Sequence, residues 1–203
     1  MTAAARVALT ATLAIGGLGL CASALAAPPA TLTHYVLDPA HSTLEFTFLQ
    51  AGAKDHGRFT RFTVILDIDP SGPAAGATAG RLDVSIDIGA LDTGDKERDD
   101  TLRGEELFAV AKYPQARFTA AAINRTASGF EAVGQLTIRG VTREARVPFT
   151  LRTASEGGRT VGYMSGSTTV RRLDFGVGQG DWRAIDQVGN EVEVSFALRL
   201  TAP

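Results

Sequence analysis

The chain has 203 residues, 20 Lys+Arg against 22 Asp+Glu, and a formal net charge of −2 at pH 7. That balance offers nothing to hold a polyanion, so neither nucleic acid nor an anionic membrane surface is an expected partner. The single cysteine, Cys21, supports neither a disulfide framework nor a Cys-based metal site.

Residues 1–26 have the pattern of a secretory signal. Arg6 supplies the positive n-region, VALTATLAIGGLGL the apolar core, and Ala24-Leu25-Ala26 an A-x-A cleavage site. The apolar run is short and glycine-rich for a membrane span. Cleavage near Ala26 would remove Cys21 and the segment's only charge, Arg6, leaving residues 27–203 as one domain destined for the periplasm. Leu20 stands before Cys21 where a lipoprotein signal needs a small residue.

Period-two alternation then runs through the chain, the mark of strands with one apolar face. Leu44, Phe46 and Phe48 alternate with Thr43, Glu45 and Thr47, and Phe62, Val64, Leu66 and Ile68 follow with the same period. Leu82, Val84, Ile86 and Ile88 alternate with Asp83, Ser85 and Asp87. After the charged run come a weaker segment over 116–123, then Phe130 to Ile138, Val141 to Leu151, a second weak segment over 160–171, and Val192 to Leu200. The breaks are turn-like, as in PSGPAAGATAG, RTASG and SEGG. About eight strands in hairpin order favour closure, because a barrel has no open edge. An all-β, eight-stranded antiparallel barrel is wide enough to be filled by side chains or to hold one small ligand.

Residues 92–113 interrupt this pattern with charged helix formers. Asp92 or Thr93 is a candidate N-cap, Asp95 and Glu97 suit the positive helix end, Arg103 the negative end, and Pro114 closes the segment. The expectation is a short, solvated helical crossover across one barrel opening, anchored by Leu102, Leu107, Phe108 and Val110.

No catalytic constellation emerges. His34, His41 and His56 lack a metal-ligand spacing. Ser42 beside His41 has no G-x-S-x-G elbow, and adjacent strand residues face opposite ways. The acids of DKERDD lie on a solvated face that does nothing to raise a carboxyl pKa. The glycines of GVGQG are a weak phosphate-cradle pattern. The phenylalanines either fill a core, at roughly 1.5–3 kcal/mol each, or line a tunnel for an apolar ligand.

The segments YVLDPAHSTLEF (35–46), GRF (57–59), LDTGDKERDDTLRGEELFAVAKYPQARF (91–118), GQLTIRGVTREARVPF (134–149) and RRLDFGVGQGDW (171–182) resemble, in order and spacing, the YceI family of lipid- and polyisoprenoid-binding proteins. The resemblance implies a lipocalin-like barrel, a secreted or periplasmic location, and a hydrophobic tunnel holding a long isoprenoid or similar lipid, without catalysis and without a covalent cofactor. It further implies a stress-related role, a link to membrane cytochrome b561-type proteins, and hence a quinone as one ligand class; a homodimer is a further expectation. On this view the tunnel is lined by Phe46, Phe48, Phe62 and Leu66, by Val84, Ile86 and Phe118, and by Leu136, Phe149 and Phe196. Leu102, Leu107 and Phe108 close its end, and Arg98 or Arg103 neutralises an anionic head group. Where many members carry a histidine after the first strand's aromatics, this chain has Gln50, in FTFLQAG. Three other classes stay open from the sequence: an outer-membrane barrel, a periplasmic hydrolase acting through Ser42, and a dry barrel that binds a protein partner.

Overall fold

A computed structural model describes residues 32–70, 76–78 and 80–202. The expected signal segment, 1–26, and the cleavage point near Ala26 lie outside the described residues. Among the described residues there are eleven strands: β1 (Thr33–Gln50), β2 (Ala53–Phe59), β3 (Phe62–Ile68), β4 (Gly76–Thr78), β5 (Gly80–Asp87), β6 (Leu91–Asp92), β7 (Gln115–Thr126), β8 (Gly129–Ile138), β9 (Val141–Glu156), β10 (Arg159–Arg171) and β11 (Glu191–Thr201). One α-helix, α1 (Lys96–Arg103), stands between β6 and β7.

Eight strands close a ring in the order β1, β3, β5, β7, β8, β9, β10, β11, and the antiparallel pairing of β11 with β1 completes it. This is the eight-stranded antiparallel barrel that the alternation predicts, with the lipocalin-like form that the family resemblance implies. The other three strands are extensions. The sequence pattern misses all three: β4 lies within the turn-like PSGPAAGATAG, β6 is only two residues long, and β2 is the longest of them. Its segment, AKDHGRF, does not alternate, and it forms by pairing with the far half of β1, Glu45↔Arg58 through Gln50↔Ala53. β1 can serve three neighbours because it is 18 residues long and carries a bulge between Asp38 and Thr43.

That bulge settles the role of Ser42. Its hydroxyl donates to the Asp38 carbonyl at 2.7 Å and accepts from the Arg199 amide at 3.0 Å, so it stitches the irregular pairing of β1 and β11. His41 is exposed and paired with Asp38 at 3.0 Å. The hydrolase reading therefore has no nucleophile at Ser42.

The barrel is dry at the end where β3 finishes. Tyr35, Leu66, Ile68, Leu82, Ile123 and Leu200 are each at most 1% exposed, and Phe130 stacks on Phe149 with ring centroids 5.4 Å apart. Its outer face carries cross-strand ion pairs, Arg81–Asp67 at 2.8 Å, Arg117–Asp83 at 2.6 Å and Arg146–Glu131 at 3.1 Å. A lipid-facing belt would put these arginines in hydrocarbon at about 2–4 kcal/mol each near the midplane, which argues against a membrane-spanning barrel.

The charged run folds as a short helix, but its cap differs from the expectation. Asp95, not Asp92 or Thr93, is the N-cap: its carboxylate accepts from the amides of Glu97 at 2.9 Å and Arg98 at 3.2 Å. Asp92 instead pairs with Arg58 of β2 at 2.7 Å. Nor is the run solvated throughout. Asp99 is buried and accepts from the Thr93 amide at 2.9 Å and the Thr93 hydroxyl at 2.7 Å, which fixes the entry to α1.

Candidate functional site: an apolar cavity under two covers

Towards the end of the barrel opposite the dry core, the inward side chains do not meet. β1 contributes Phe46 and Phe48, β3 Phe62, β5 Val84 and Ile86, β7 Phe118, β8 Leu136 and β11 Phe196. They surround a cavity of about 920 Å³, at the upper end of the usual size for small-molecule sites. Phe46 stacks with Phe48 at 6.0 Å and packs against Phe59 at 5.0 Å, so this wall is a rigid aromatic surface.

Two segments cover this end. The first runs from α1 to β7 and presents Leu102, Leu107 and Phe108 to the cavity. The second follows β10, includes the 3-10 turns Arg172–Phe175 and Gly180–Arg183, and presents Phe175, Val177 and Trp182. The covers are tied together: the amides of Gly178 and Gln179 donate to the Glu106 carbonyl at 3.0 and 2.7 Å, and Leu107, Phe175 and Val177 share one buried cluster.

Of the thirteen residues that the sequence placed along the tunnel, two lie elsewhere. Leu66 and Phe149 belong to the packed core at the dry end. They face inward as the alternation requires, but at a level where opposing side chains touch. The other eleven line the cavity.

The two head-group candidates are also placed differently. Arg98 lines the cavity, with its guanidinium in an ion pair with Asp55 of β2 at 2.5 Å. Arg103 is directed away from the cavity. It donates to the Leu91 carbonyl at 2.7 Å and the Gly89 carbonyl at 3.1 Å, and contacts Asp100 at 3.2 Å. It is a fastener between α1 and the chain entering it, which corrects the head-group assignment.

The sequence reading also passed over Arg172, the second arginine of RRLDFGVGQG. It is 5% exposed and has no carboxylate partner among the described residues. Instead Nε donates to the Gly189 carbonyl at 2.9 Å, Nη1 to those of Val177 at 2.9 Å and Trp182 at 2.7 Å, and Nη2 to Val188 at 2.6 Å. Burial pushes its pKa down from the ordinary arginine value. One side chain thus organises the whole second cover. The glycines of GVGQG serve this arrangement rather than a phosphate: Gly178 has φ +111, and a Cβ there would collide with the Arg172 guanidinium.

Gln50 lines the cavity and bridges to Val188 of the second cover. Among the described residues no group of three or more His, Cys, Asp or Glu is placed to hold a metal ion.

The similarities to known proteins agree with this geometry. A UPF0312 protein of Yersinia enterocolitica is 34% identical over 145 residues, 69% of this chain and 71% of its own length. One from Yersinia pestis (strain Pestoides F) is 33% identical over 144 residues, 70% of this chain and 71% of its own. Among solved structures, BcnA of Burkholderia cenocepacia superposes with a TM-score of 0.70 at 31% identity, over 80% of this chain and 98% of that one. A domain from Saccharophagus degradans, described as a polyisoprenoid binding domain, superposes with a TM-score of 0.58 at 20% identity, over 85% of this chain and 99% of its own. The YceI-like domain matches residues 35–200, nearly the whole described barrel, and the chain belongs to that family.

Proposed function

We propose that this protein is a non-catalytic binder that encloses the chain of an isoprenoid or similar long lipid, a quinone among the ligand classes, and that it works in the periplasm after cleavage near Ala26. The observation that carries the proposal is the apolar cavity of about 920 Å³, walled by phenylalanine and aliphatic side chains and placed under two covers. The family membership and the described ligand class of the Saccharophagus domain support it.

The energetics suit a chain-shaped ligand. Burial contributes about 0.8 kcal/mol per CH₂, so about ten methylenes supply roughly 8 kcal/mol, the equivalent of a micromolar Kd before ordering costs. A forty-carbon chain would nominally exceed the practical ceiling of about −20 kcal/mol. Cavity length and shape, rather than carbon count, therefore set selectivity.

Native mass spectrometry with organic extraction, on protein purified from its own source without detergent, tests the proposal. A discrete added mass, released as a prenyl lipid or quinone, is expected. A clean apo mass, with no uptake of added prenyl lipids, would overturn it and favour a barrel that acts on a protein partner.

A further inference from the structure

The barrel wall is not continuous. β9 and β10 pair from Arg159↔Glu156 to Ser165↔Thr150 and no further, although both strands run on, β9 back to Val141 and β10 forward to Arg171. The sequence supplies the cause. Pro148 of β9 has no amide hydrogen, and its carbonyl is directed at Gly166 of β10, where a Cβ would collide with it. In a strand the N–H and C=O of one residue point to the same side, so the missing donor is on the β10 side, and the ladder stops there. Beyond this point one side-chain bond spans the gap, from the Thr168 hydroxyl to the Arg146 carbonyl at 3.1 Å.

The cavity reaches into this gap. Residues 143–147 of β9 and 168–171 of β10 all border it. Only alternate residues of a strand face one side of a sheet, so a run of consecutive lining residues means that the cavity passes between the two strands. It has a lateral opening as well as the covered end.

The seam is cationic, whereas the α1 side is not. Arg143, Arg146, Arg171 and Arg172 border the cavity here against Glu144 and Asp174. Near α1 the bordering charges are Asp95, Glu97 and Arg98, and Arg98 is already neutralised by Asp55. Within the seam, Arg146 pairs with Glu131, Arg171 with Asp174, and Arg172 is saturated by carbonyls. Arg143 differs from them. It stands opposite Leu136 of β8, hence on the interior face, and no carboxylate lies within ion-pair distance of it among the described residues; its one hydrogen bond is a long one, 3.4 Å to the Asp174 carbonyl.

We propose that the β9–β10 seam is the polar end of the ligand site, and that Arg143 is the counter-charge for an anionic head group, a phosphate or carboxylate, on a lipid whose chain occupies the cavity. This inference rests on the lipid-binding proposal and extends it: the head sits at a lateral slit, and neither Arg98 nor Arg103 recognises it.

The test uses delipidated full-length protein and two probes with one chain, farnesyl phosphate and farnesol, with Trp182, the only tryptophan, as the fluorescence reporter. Wild type is expected to bind the phosphate about tenfold more tightly, with the ratio shrinking as salt rises. Arg143→Gln should bring the ratio close to one, Arg143→Glu should invert it, and Arg143→Lys should restore most of it. The ratio separates recognition from a general loss of fold, which weakens both probes together. A ratio unchanged in Arg143→Gln, or collapsing in Arg98→Gln instead, overturns the assignment while leaving the lipid reading standing. If neither probe binds wild type, the lipid reading itself fails, and this inference with it.

Discussion

Arg172→Met is the most informative perturbation of the covers. Methionine keeps the apolar stem and removes every donor. Four carbonyls lose a short hydrogen bond, those of Gly189, Val177, Trp182 and Val188, at 2.6–2.9 Å, and the Ala184 carbonyl loses a long one at 3.5 Å. An orphaned buried acceptor costs about 1–3 kcal/mol. The Val177 bond is fully buried and the other three short ones are partly so; water can therefore replace part of what those three lose, and the gross cost is about 4–7 kcal/mol. Against this, the variant no longer buries a cation without a carboxylate partner, which returns several kcal/mol. The expected net loss is about 3 kcal/mol. With a urea m-value of roughly 2 kcal/mol/M, the unfolding midpoint should fall by about 1.5 M. Ligand release should also quicken, because the second cover is the segment that loosens. A midpoint within about 0.25 M of wild type, the equivalent of about 0.5 kcal/mol, would show that the carbonyl cage does not hold the cover, and would refute the reasoning.

Four further outcomes are expected. Leu66→Ala, at the dry end, should cost about 2–5 kcal/mol in denaturation, whereas Val84→Ala, on the cavity wall, should cost roughly 1–2 kcal/mol, because fewer atoms touch it before truncation. Asp95→Ala should lower stability by about 1 kcal/mol through loss of the α1 cap, read as a fall in Tm. Arg103→Ala should cost roughly 1–3 kcal/mol and leave the phosphate-to-alcohol preference intact; a lost preference would return Arg103 to the head-group site. Asp67 accepts from His34 at 2.6 Å and faces Arg81 at 2.8 Å, and these partners, His34 first, hold its carboxyl below the usual range against the opposing effect of burial. The unfolded chain takes up this proton at about pH 3.9. The contribution is therefore present above that pH and is lost as pH falls through the lower folded value. Asp67→Asn should flatten the acid limb of the stability curve in that interval, measured by denaturant midpoints from pH 5 to pH 2.

Alternation showed in the sequence because the strand period is two, so Phe46, Phe62, Val84 and Leu136 announced their inward direction without any partner being known. The same rule explains why β2 escaped notice: Ala53–Phe59 is a strand only because β1 lies beside it. The helix was legible in the run of Lys, Glu, Arg and Asp, but its cap was not, since Asp92, Thr93 and Asp95 are equivalent until it is known that Arg58 of β2 engages Asp92.

The sequence by itself determined the family, the barrel, the crossover and the inward face of each alternating strand, since these follow from local period and motif order. Height along the barrel was decided only by the tertiary structure. Leu66 and Phe62 obey one alternation on one strand, yet Leu66 is sealed at the dry end and Phe62 borders the cavity, because whether opposing side chains touch depends on seven other strands. The arginines obey the same logic. Arg98, Arg103, Arg143 and Arg172 are equivalent as letters, and a guanidinium's role is fixed by what faces it: Asp55, the Leu91 carbonyl, an open seam, or a cage of four carbonyls. Those partners come from distant parts of the chain, and only closure of the barrel brings them together.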